Sequence, residues 1–133
     1  MKIIVTGGLG FIGSSVIKYL INKDNVQILN IDKATYASNP NYLDFLKNSE
    51  NYNFKKGDIT DKKLIATLLR DFKPDVIMNF AAETHVDRSI KNPEKFIHTN
   101  IIGTFNLLEC TRNYLKSDSI NVPQNFRFHH IST

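Results

Sequence analysis

Cysteine and long apolar runs are scarce in this sequence, and their scarcity excludes several classes of protein. Cys110 is the single cysteine among 133 residues, so an intrachain disulfide is impossible. It lies in an apolar helical stretch, where we expect a packed thiol rather than a reactive one. No segment approaches the ~18 apolar residues of a membrane span, and the apolar run from Ile3 ends at Gly7, too soon for a signal peptide. We therefore predict a cytoplasmic protein with no membrane partner.

Long runs of one charge are also missing. The chain has 17 Lys and Arg against 13 Asp and Glu, a formal net charge of +4. The basic residues occur as scattered pairs, such as Lys55-Lys56 and Lys62-Lys63, which argues against nucleic acid as a partner. The excess of positive charge is either simply tolerated by the protein or suited to binding small anionic ligands such as nucleotides.

The spacing of metal-binding residues is absent too. None of the four histidines forms a pair at the spacings typical of zinc sites. They are His85, His98, His129 and His130. The adjacent pair would point to opposite faces of a strand. We expect packed or surface histidines and no bound metal.

The sequence does contain a regular alternation of strand and helix signals. Strands are predicted at residues 2–6, 26–31, 52–56, 76–80 and 126–131. A helix follows the first strand, a short one is expected near 42–47, and a third begins at Thr60 or Asp61 and ends at Lys73. A long helix begins at Pro93. Residues 118–125 are expected to form a polar surface connection.

Two stripes run along the predicted long helix. One is apolar and consists of Phe96, Ile97, Ile101, Phe105 and Leu108. The opposite stripe is small and polar and consists of Asn100, Gly103 and Thr104. Asn100 is expected either to hold a turn or a water, or to make a simple hydrogen bond from helix to strand.

This alternation predicts an α/β fold. Hydrophobic residues make up 41% of the chain and charged residues 23%, as in an ordinary globular domain. Strands alternating with helices give a doubly wound, Rossmann-type parallel sheet with right-handed crossovers, and the expected order of its five strands is 3-2-1-4-5. Because the sequence stops directly after the fifth strand, we expect residues 1–133 to be one incomplete half-domain.

A glycine-rich turn follows the first predicted strand and opens a helix. Gly7, Gly10 and Gly13 give the spacing G-x-x-G-x-x-G, a relative of the dinucleotide fingerprint. Glycine allows unusual φ, close approach of a pyrophosphate, and tight packing of the helix on the sheet. The helix N-terminus offers N–H groups to the phosphates. The alternative is a glycine turn that binds no ligand.

Asp32 follows Gly13 by about 20 residues, at the end of the second predicted strand. There its carboxylate would accept hydrogen bonds from the adenosine ribose and repel the 2′-phosphate of NADP. This favours NAD as the cofactor, the alternative being a solvated carboxylate at a strand end.

Two further loops lie at carboxyl ends of predicted strands, where such sheets bind ligands. Asp58 and Ile59 are placed to contact the adenine, the alternative being that Asp58 only caps the next helix. The small residues Ala81 and Ala82 would let the cofactor approach the fourth strand, and a polar loop follows them.

Taken together, these segments resemble the extended short-chain dehydrogenase/reductase family, and within it the dTDP-glucose 4,6-dehydratases. The similar segments are the glycine turn and residues 32–37, 79–89 and 126–133. The resemblance implies bound NAD and a homodimer. It also implies a reaction in which C4 of dTDP-glucose is oxidised, water is lost across C5 and C6, and hydride returns to C6.

The resemblance also implies the positions of the site residues. Those expected to line the cofactor, besides the glycines, are Phe11, Ile12, Asp32, Lys33, Ala34, Thr35, Asp58, Ile59, Phe80, Ala81, Ala82, Glu83, Thr84 and Thr99. Thr84 and Thr133 are expected to touch the sugar, with Thr133 as the catalytic residue that hydrogen-bonds the C4 oxygen.

The family pattern continues beyond this sequence. An Asp-Glu pair directly after Thr133 and a later Tyr-x-x-x-Lys are absent, so we expect the 133-residue chain to be inactive. Three alternatives stay open: a UDP-sugar 4-epimerase, a GDP-mannose 4,6-dehydratase, and a non-catalytic NAD-binding module. Asp32 argues against an NADP-using branch, and residues 83–89 favour the dTDP-glucose branch over the epimerase.

Overall fold

One parallel sheet organises the chain. The computed structural model describes residues 1–117 and 123–132. Its strands are β1 (Lys2–Thr6), β2 (Gln27–Asp32), β3 (Tyr52–Lys56), β4 (Val76–Asn79) and β5 (Arg127–His130). They pair in parallel in the order β3-β2-β1-β4-β5, which confirms the predicted Rossmann-type fold. β1 is central, because Ile4 pairs with Leu29 on one side and with Ile77 on the other.

The helices cover both faces of this sheet. They are α1 (Phe11–Ile21), a 3-10 helix (Pro40–Leu46), α2 (Lys62–Phe72), α3 (Val86–Lys91), α4 (Pro93–Phe96), a π-helical segment (Ile97–Gly103) and α5 (Thr104–Leu115). Asp61, one of the two predicted caps, accepts a hydrogen bond from the Leu64 amide at 3.0 Å. α2 ends at Lys73, whose backbone is left-handed with φ 53°.

Helix α3 differs from the sequence prediction, which places a polar loop after Ala82. It begins after His85, whose carbonyl accepts the Arg88 and Ser89 amides at 3.1 and 3.0 Å. None of its residues is buried. Its two apolar residues, Val86 and Ile90, are 71% and 76% exposed, and six residues are too few to show a clear helical periodicity in the sequence.

The predicted long helix does begin at Pro93. α4, the π-helical segment and α5 follow one another directly, and the backbone at Phe96, Gly103 and Thr104 stays right-handed helical. The predicted apolar stripe faces outward, however, with Ile101 and Phe105 60% and 61% exposed. The inward face carries Gly103, Asn106, Leu107, Cys110, Thr111 and Tyr114.

The small and polar residues face inward because the helix lies close to the loop after β3. A Cβ on Gly103 would lie 2.6 Å from the Ile59 side chain. The Asn106 amide donates to the Ile59 carbonyl at 2.6 Å. Burial of Cys110 next to them confirms the packed thiol.

Two apolar layers enclose the sheet. Along β1, Ile3 and Val5 join one core cluster with α1, whereas Ile4 joins the other with α2 and α5. This alternation follows from the opposite directions of successive strand side chains. Each fully buried aliphatic side chain contributes about 1.5–3 kcal/mol to folding.

Two sequence predictions lie outside the described residues. One is Thr133, and the other is the part of the polar connection at residues 118–122. In the rest of the chain, no helix is long and apolar enough to cross a bilayer.

Candidate functional site

A cleft opens at the carboxyl ends of β1, β2, β3 and β4 and contains a cavity of about 100 Å³. Of the predicted site residues, it is lined by Gly7, Gly10, Asp32, Lys33, Thr35, Asp58, Ile59, Phe80, Ala81, Ala82, Glu83 and Thr99. Those that do not line it are Phe11, Ile12, Gly13, Ala34 and Thr84. The cleft therefore brings together residues from four strand ends and the long helix.

The glycine turn forms the floor of this cleft. Gly7 has φ +72°, and a Cβ there would lie 2.6 Å from the Ala81 amide nitrogen. A Cβ on Gly13 would lie 2.4 Å from the Gly7 carbonyl oxygen, whereas one on Gly10 would come no closer to it than 3.2 Å. Gly7 and Gly13 are thus required by the fold itself. Gly10 leaves space on the cleft side.

Helix α1 begins at this turn. Gly10 is its N-cap and has no side chain to cover the first-turn amides. Those amides lack carbonyl partners within the helix and carry partial positive charge. The turn therefore has the chemistry of an anion-binding site.

Asp32 connects the turn to the loop after β2. It is 7% exposed. Its Oδ2 accepts the Leu9 amide at 2.9 Å, and its Oδ1 accepts the Ala34 amide and the Ser38 hydroxyl, each at 2.8 Å. A carboxylate has about four acceptor positions, so one remains on Oδ2 for a ligand hydroxyl.

Asp58 lies on the opposite wall and pairs with Lys33. Lys33 Nζ is 2.6 Å from Asp58 Oδ2, and Asp58 Oδ1 accepts the Thr60 amide at 3.0 Å. Burial raises the pKa of Asp58, but the Lys33 and Thr60 bonds outweigh it and hold the pKa below its usual value. Since Asp61 caps α2, the capping alternative for Asp58 is wrong.

Asn79 and Asn100 hold the loop after β4. Asn79 Oδ1 accepts the Thr6 hydroxyl at 2.5 Å, and its amide nitrogen lies 3.0 Å from His130 Nδ1. Asn100 accepts the Glu83 amide at 2.8 Å and donates to the Glu83 carbonyl at 3.0 Å. Of the roles considered for Asn100, the structure supports holding the turn.

The outer end of the cleft is crossed by side chains. Tyr36 donates its hydroxyl to Glu83 Oε2 at 2.9 Å. The Arg88 guanidinium carbon lies 3.3 Å from the centroid of the Tyr36 ring. Partial desolvation and the Glu83 carboxylate raise the pKa of Tyr36, and Arg88 acts in the opposite direction.

Comparison with known families assigns the chain to one of them. The family described as GDP-mannose 4,6 dehydratase matches residues 4–133. The chain belongs to this family. The family lies within the extended short-chain dehydrogenases/reductases, as the sequence segments predict.

Two dTDP-glucose 4,6-dehydratases are similar to the whole chain. dTDP-glucose 4,6-dehydratase 1 of Escherichia coli K12 is 49% identical over 133 residues, which is 100% of this chain and 37% of that protein. The dTDP-glucose 4,6-dehydratase of Bacillus anthracis, solved in complex with NAD, has a TM-score of 0.82 at 33% identity. The match covers 100% of this chain and 37% of that one.

A UDP-glucose 4-epimerase from Thermotoga maritima, solved with UDP-glucose, is also similar. Its TM-score is 0.82 at 29% identity, covering 100% of this chain and 38% of that one. The chain therefore spans well under half the length of the relatives it matches.

Four residues of the cleft were missed by sequence reasoning. They are Ile31, Ala37, Ser38 and Gly57. Ser38 matters most, because its hydroxyl links Asp32 Oδ1 to the Thr35 amide. In the sequence, Ser38 is only a polar residue in a loop after a strand, and such residues are too common to single out.

Proposed function

We propose that this chain is the NAD-binding part of a dTDP-glucose 4,6-dehydratase. The observation that carries the proposal is the buried Asp32 carboxylate at the end of β2, beside the glycine turn and with one acceptor position left. An anion at this position repels a 2′-phosphate and accepts a ribose hydroxyl, which is the chemistry of NAD selection.

The lining residues fit each part of the cofactor. The pyrophosphate would be held by the α1 N-terminus at Gly10, and the ribose by Asp32. The adenine would be held by Asp58 and Ile59. Ala81 and Ala82 leave room for the nicotinamide end, because their side chains are small. When bound, NAD would supply the acceptor and donor of hydride.

The substrate assignment rests on the relatives. The 49%-identical relative acts, by its name, on dTDP-glucose. We infer that Thr84 and Thr133 approach the sugar, with Thr133 hydrogen-bonding its C4 oxygen. The UDP-glucose 4-epimerase is the second candidate, because its TM-score equals that of the dehydratase although its identity is lower.

Titration of the 133-residue chain with NAD and with NADP tests the cofactor. We expect saturable binding of NAD and much weaker binding of NADP. Conversion of dTDP-glucose with added NAD should stay at background, because a threonine hydroxyl without a partner is a poor base near neutral pH. Absence of NAD binding by the folded chain would contradict the proposal.

We further propose that the chain associates with a second copy of itself. The outward face of the long helix supports this, because it exposes five large apolar side chains. They are Ile97, Ile101, Ile102, Phe105 and Leu108. Contiguous apolar surface of this kind is typical of protein interfaces. The cytoplasmic location expected from the sequence stays a prediction.

A further inference from the structure

The two walls of the cleft are joined across its outer end by three side chains, Tyr36, Glu83 and Arg88, which we name the cleft strap. Tyr36 belongs to the loop after β2, and its neighbours Thr35 and Ala37 line one wall. Glu83 belongs to the loop after β4 and lines the other wall. The 2.9 Å hydrogen bond between them therefore closes the cleft at this point.

A second cavity lies on the outer side of the cleft strap. It is lined by all three strap residues, and it shares a common wall with the cleft. The residues that line both cavities are Lys33, Thr35, Glu83 and Thr99. Opening the strap would join the two cavities into one passage from the surface to the cleft.

The backbone on each side of the cleft strap is anchored, whereas the strap side chains are exposed or half-buried. The Glu83 backbone is held by both polar atoms of the Asn100 side chain. The loop that carries Tyr36 is held to Asp32 through Ser38. The Tyr36 side chain itself is 46% exposed. Weak contacts between firm anchors suit a closure that opens and reforms without disturbing the fold.

We propose that the cleft strap is a gate for cofactor exchange, a proposal that rests on the proposed NAD binding. The strap is closed in this structure, and on this proposal the dinucleotide enters and leaves by the side of the cleft that the strap closes. Its opening therefore limits association and dissociation alike. A residue that merely touches the ligand would change the dissociation rate alone, and with it the Kd.

The test is stopped-flow binding of NADH to the 133-residue chain, followed by NADH fluorescence, which no tryptophan of the chain obscures. Tyr36→Phe removes the bond to Glu83 and keeps the ring under Arg88, whereas Tyr36→Ala removes both contacts. The matched control is Tyr19→Ala, because Tyr19 is an exposed tyrosine on α1 with Lys23 4.5 Å from its ring centroid. Circular dichroism checks that each variant is folded.

We expect Tyr36→Phe to raise both rate constants by roughly fivefold, the equivalent of one ordinary hydrogen bond, and Tyr36→Ala to raise them further. The Kd should change by less than about twofold, and Tyr19→Ala should match the wild type. Rates unchanged in both Tyr36 variants, or a rise in dissociation alone, would overturn the gate while leaving NAD binding intact. Failure of the wild type to bind NADH would overturn the proposed function and the gate together.

Discussion

At the scale of single residues, Asp32 has two roles. Its carboxylate holds the loop after β2, and we propose that it selects NAD over NADP. We expect Asp32→Ala to narrow the preference for NAD over NADP, because the repulsion of the 2′-phosphate disappears. Loss of the ribose hydrogen bonds should weaken NAD binding by roughly 1–3 kcal/mol. Calorimetric titration of both cofactors against both proteins measures this. An unchanged NAD/NADP ratio in the variant would refute the assignment.

Gly10 and Gly13 differ in what surrounds them, which allows a paired test of the turn. Gly10→Val should keep the fold, since its Cβ meets the Gly7 carbonyl oxygen no closer than 3.2 Å, but should abolish NAD binding by filling the pyrophosphate position. Gly13→Ala should destabilise the fold itself, because its Cβ would lie 2.4 Å from that oxygen. Circular dichroism followed by NAD titration distinguishes the two. Wild-type affinity in folded Gly10→Val would show that the turn does not hold phosphates.

The Lys33–Asp58 pair predicts a pH response. Because the pKa of Asp58 is lowered in the folded chain, its contribution to stability is present above the unfolded pKa of about 3.9 and is lost as pH falls through the folded pKa. Lys33→Met should raise the pKa of Asp58 by removing the 2.6 Å pair. Carboxyl ¹³C NMR titration measures the shift. Lys47→Met removes the exposed ion pair with Asp44 and is the control. It should leave the pKa of Asp58 unchanged.

At the scale of elements, the end of α2 carries backbone strain. Lys73 is left-handed with φ 53°, where glycine is the usual residue. We expect Lys73→Gly to be neutral or to stabilise the chain by up to about 1 kcal/mol. Ala66→Gly, an exposed change in the middle of the same helix, should instead destabilise by about 1 kcal/mol. Urea unfolding of both variants measures the free energy of unfolding. An equal decrease in both variants would show that glycine does not relieve the strain at Lys73.

The elements with strong local signals were predicted well. β1 and β3 have the predicted bounds, and Pro93 begins the long helix, because the β-branched residues of β1, the aromatic residues of β3 and a proline at N1 are local signals. Helix α3 lacked such a signal. The side of the long helix that faces the sheet was also unpredictable, since it is set by the close approach of Gly103 to Ile59 rather than by hydrophobicity.

The candidate site likewise has a part that local sequence signals predict and a part that they do not. The glycine turn, Asp32 and the loop after β4 follow from motif and spacing, and all three meet in the cleft. The cleft strap does not, because its partners lie on different segments of the chain, and Ser38 does not, because a polar residue in a loop after a strand is too common to single out. Tyr36 and Glu83, for example, are separated by 47 positions in sequence.

At the scale of the whole molecule, the outward face of the long helix should decide the state of association. The exposed edge of β5 is less suited to association, because Phe126 and Phe128 are partly buried against the core. We expect the chain to form oligomers that Ile101→Lys with Phe105→Lys converts to monomers. Phe45→Lys, an equally exposed apolar position outside that face, is the control. Size-exclusion chromatography with light scattering reports the mass, and a monomeric wild type would contradict the prediction.

The three hydrogen bonds that Asp32 accepts have a consequence for anyone who redesigns this protein to use NADP. Exchanging Asp32 for a small neutral residue would remove the repulsive charge, but it would also leave the Leu9 and Ala34 amides and the Ser38 hydroxyl without their acceptor. The 33–38 loop would then have to be rebuilt together with the charge. Cofactor switching in this fold is therefore a loop-grafting problem, and single substitutions should yield variants that bind both cofactors weakly before any that prefer NADP.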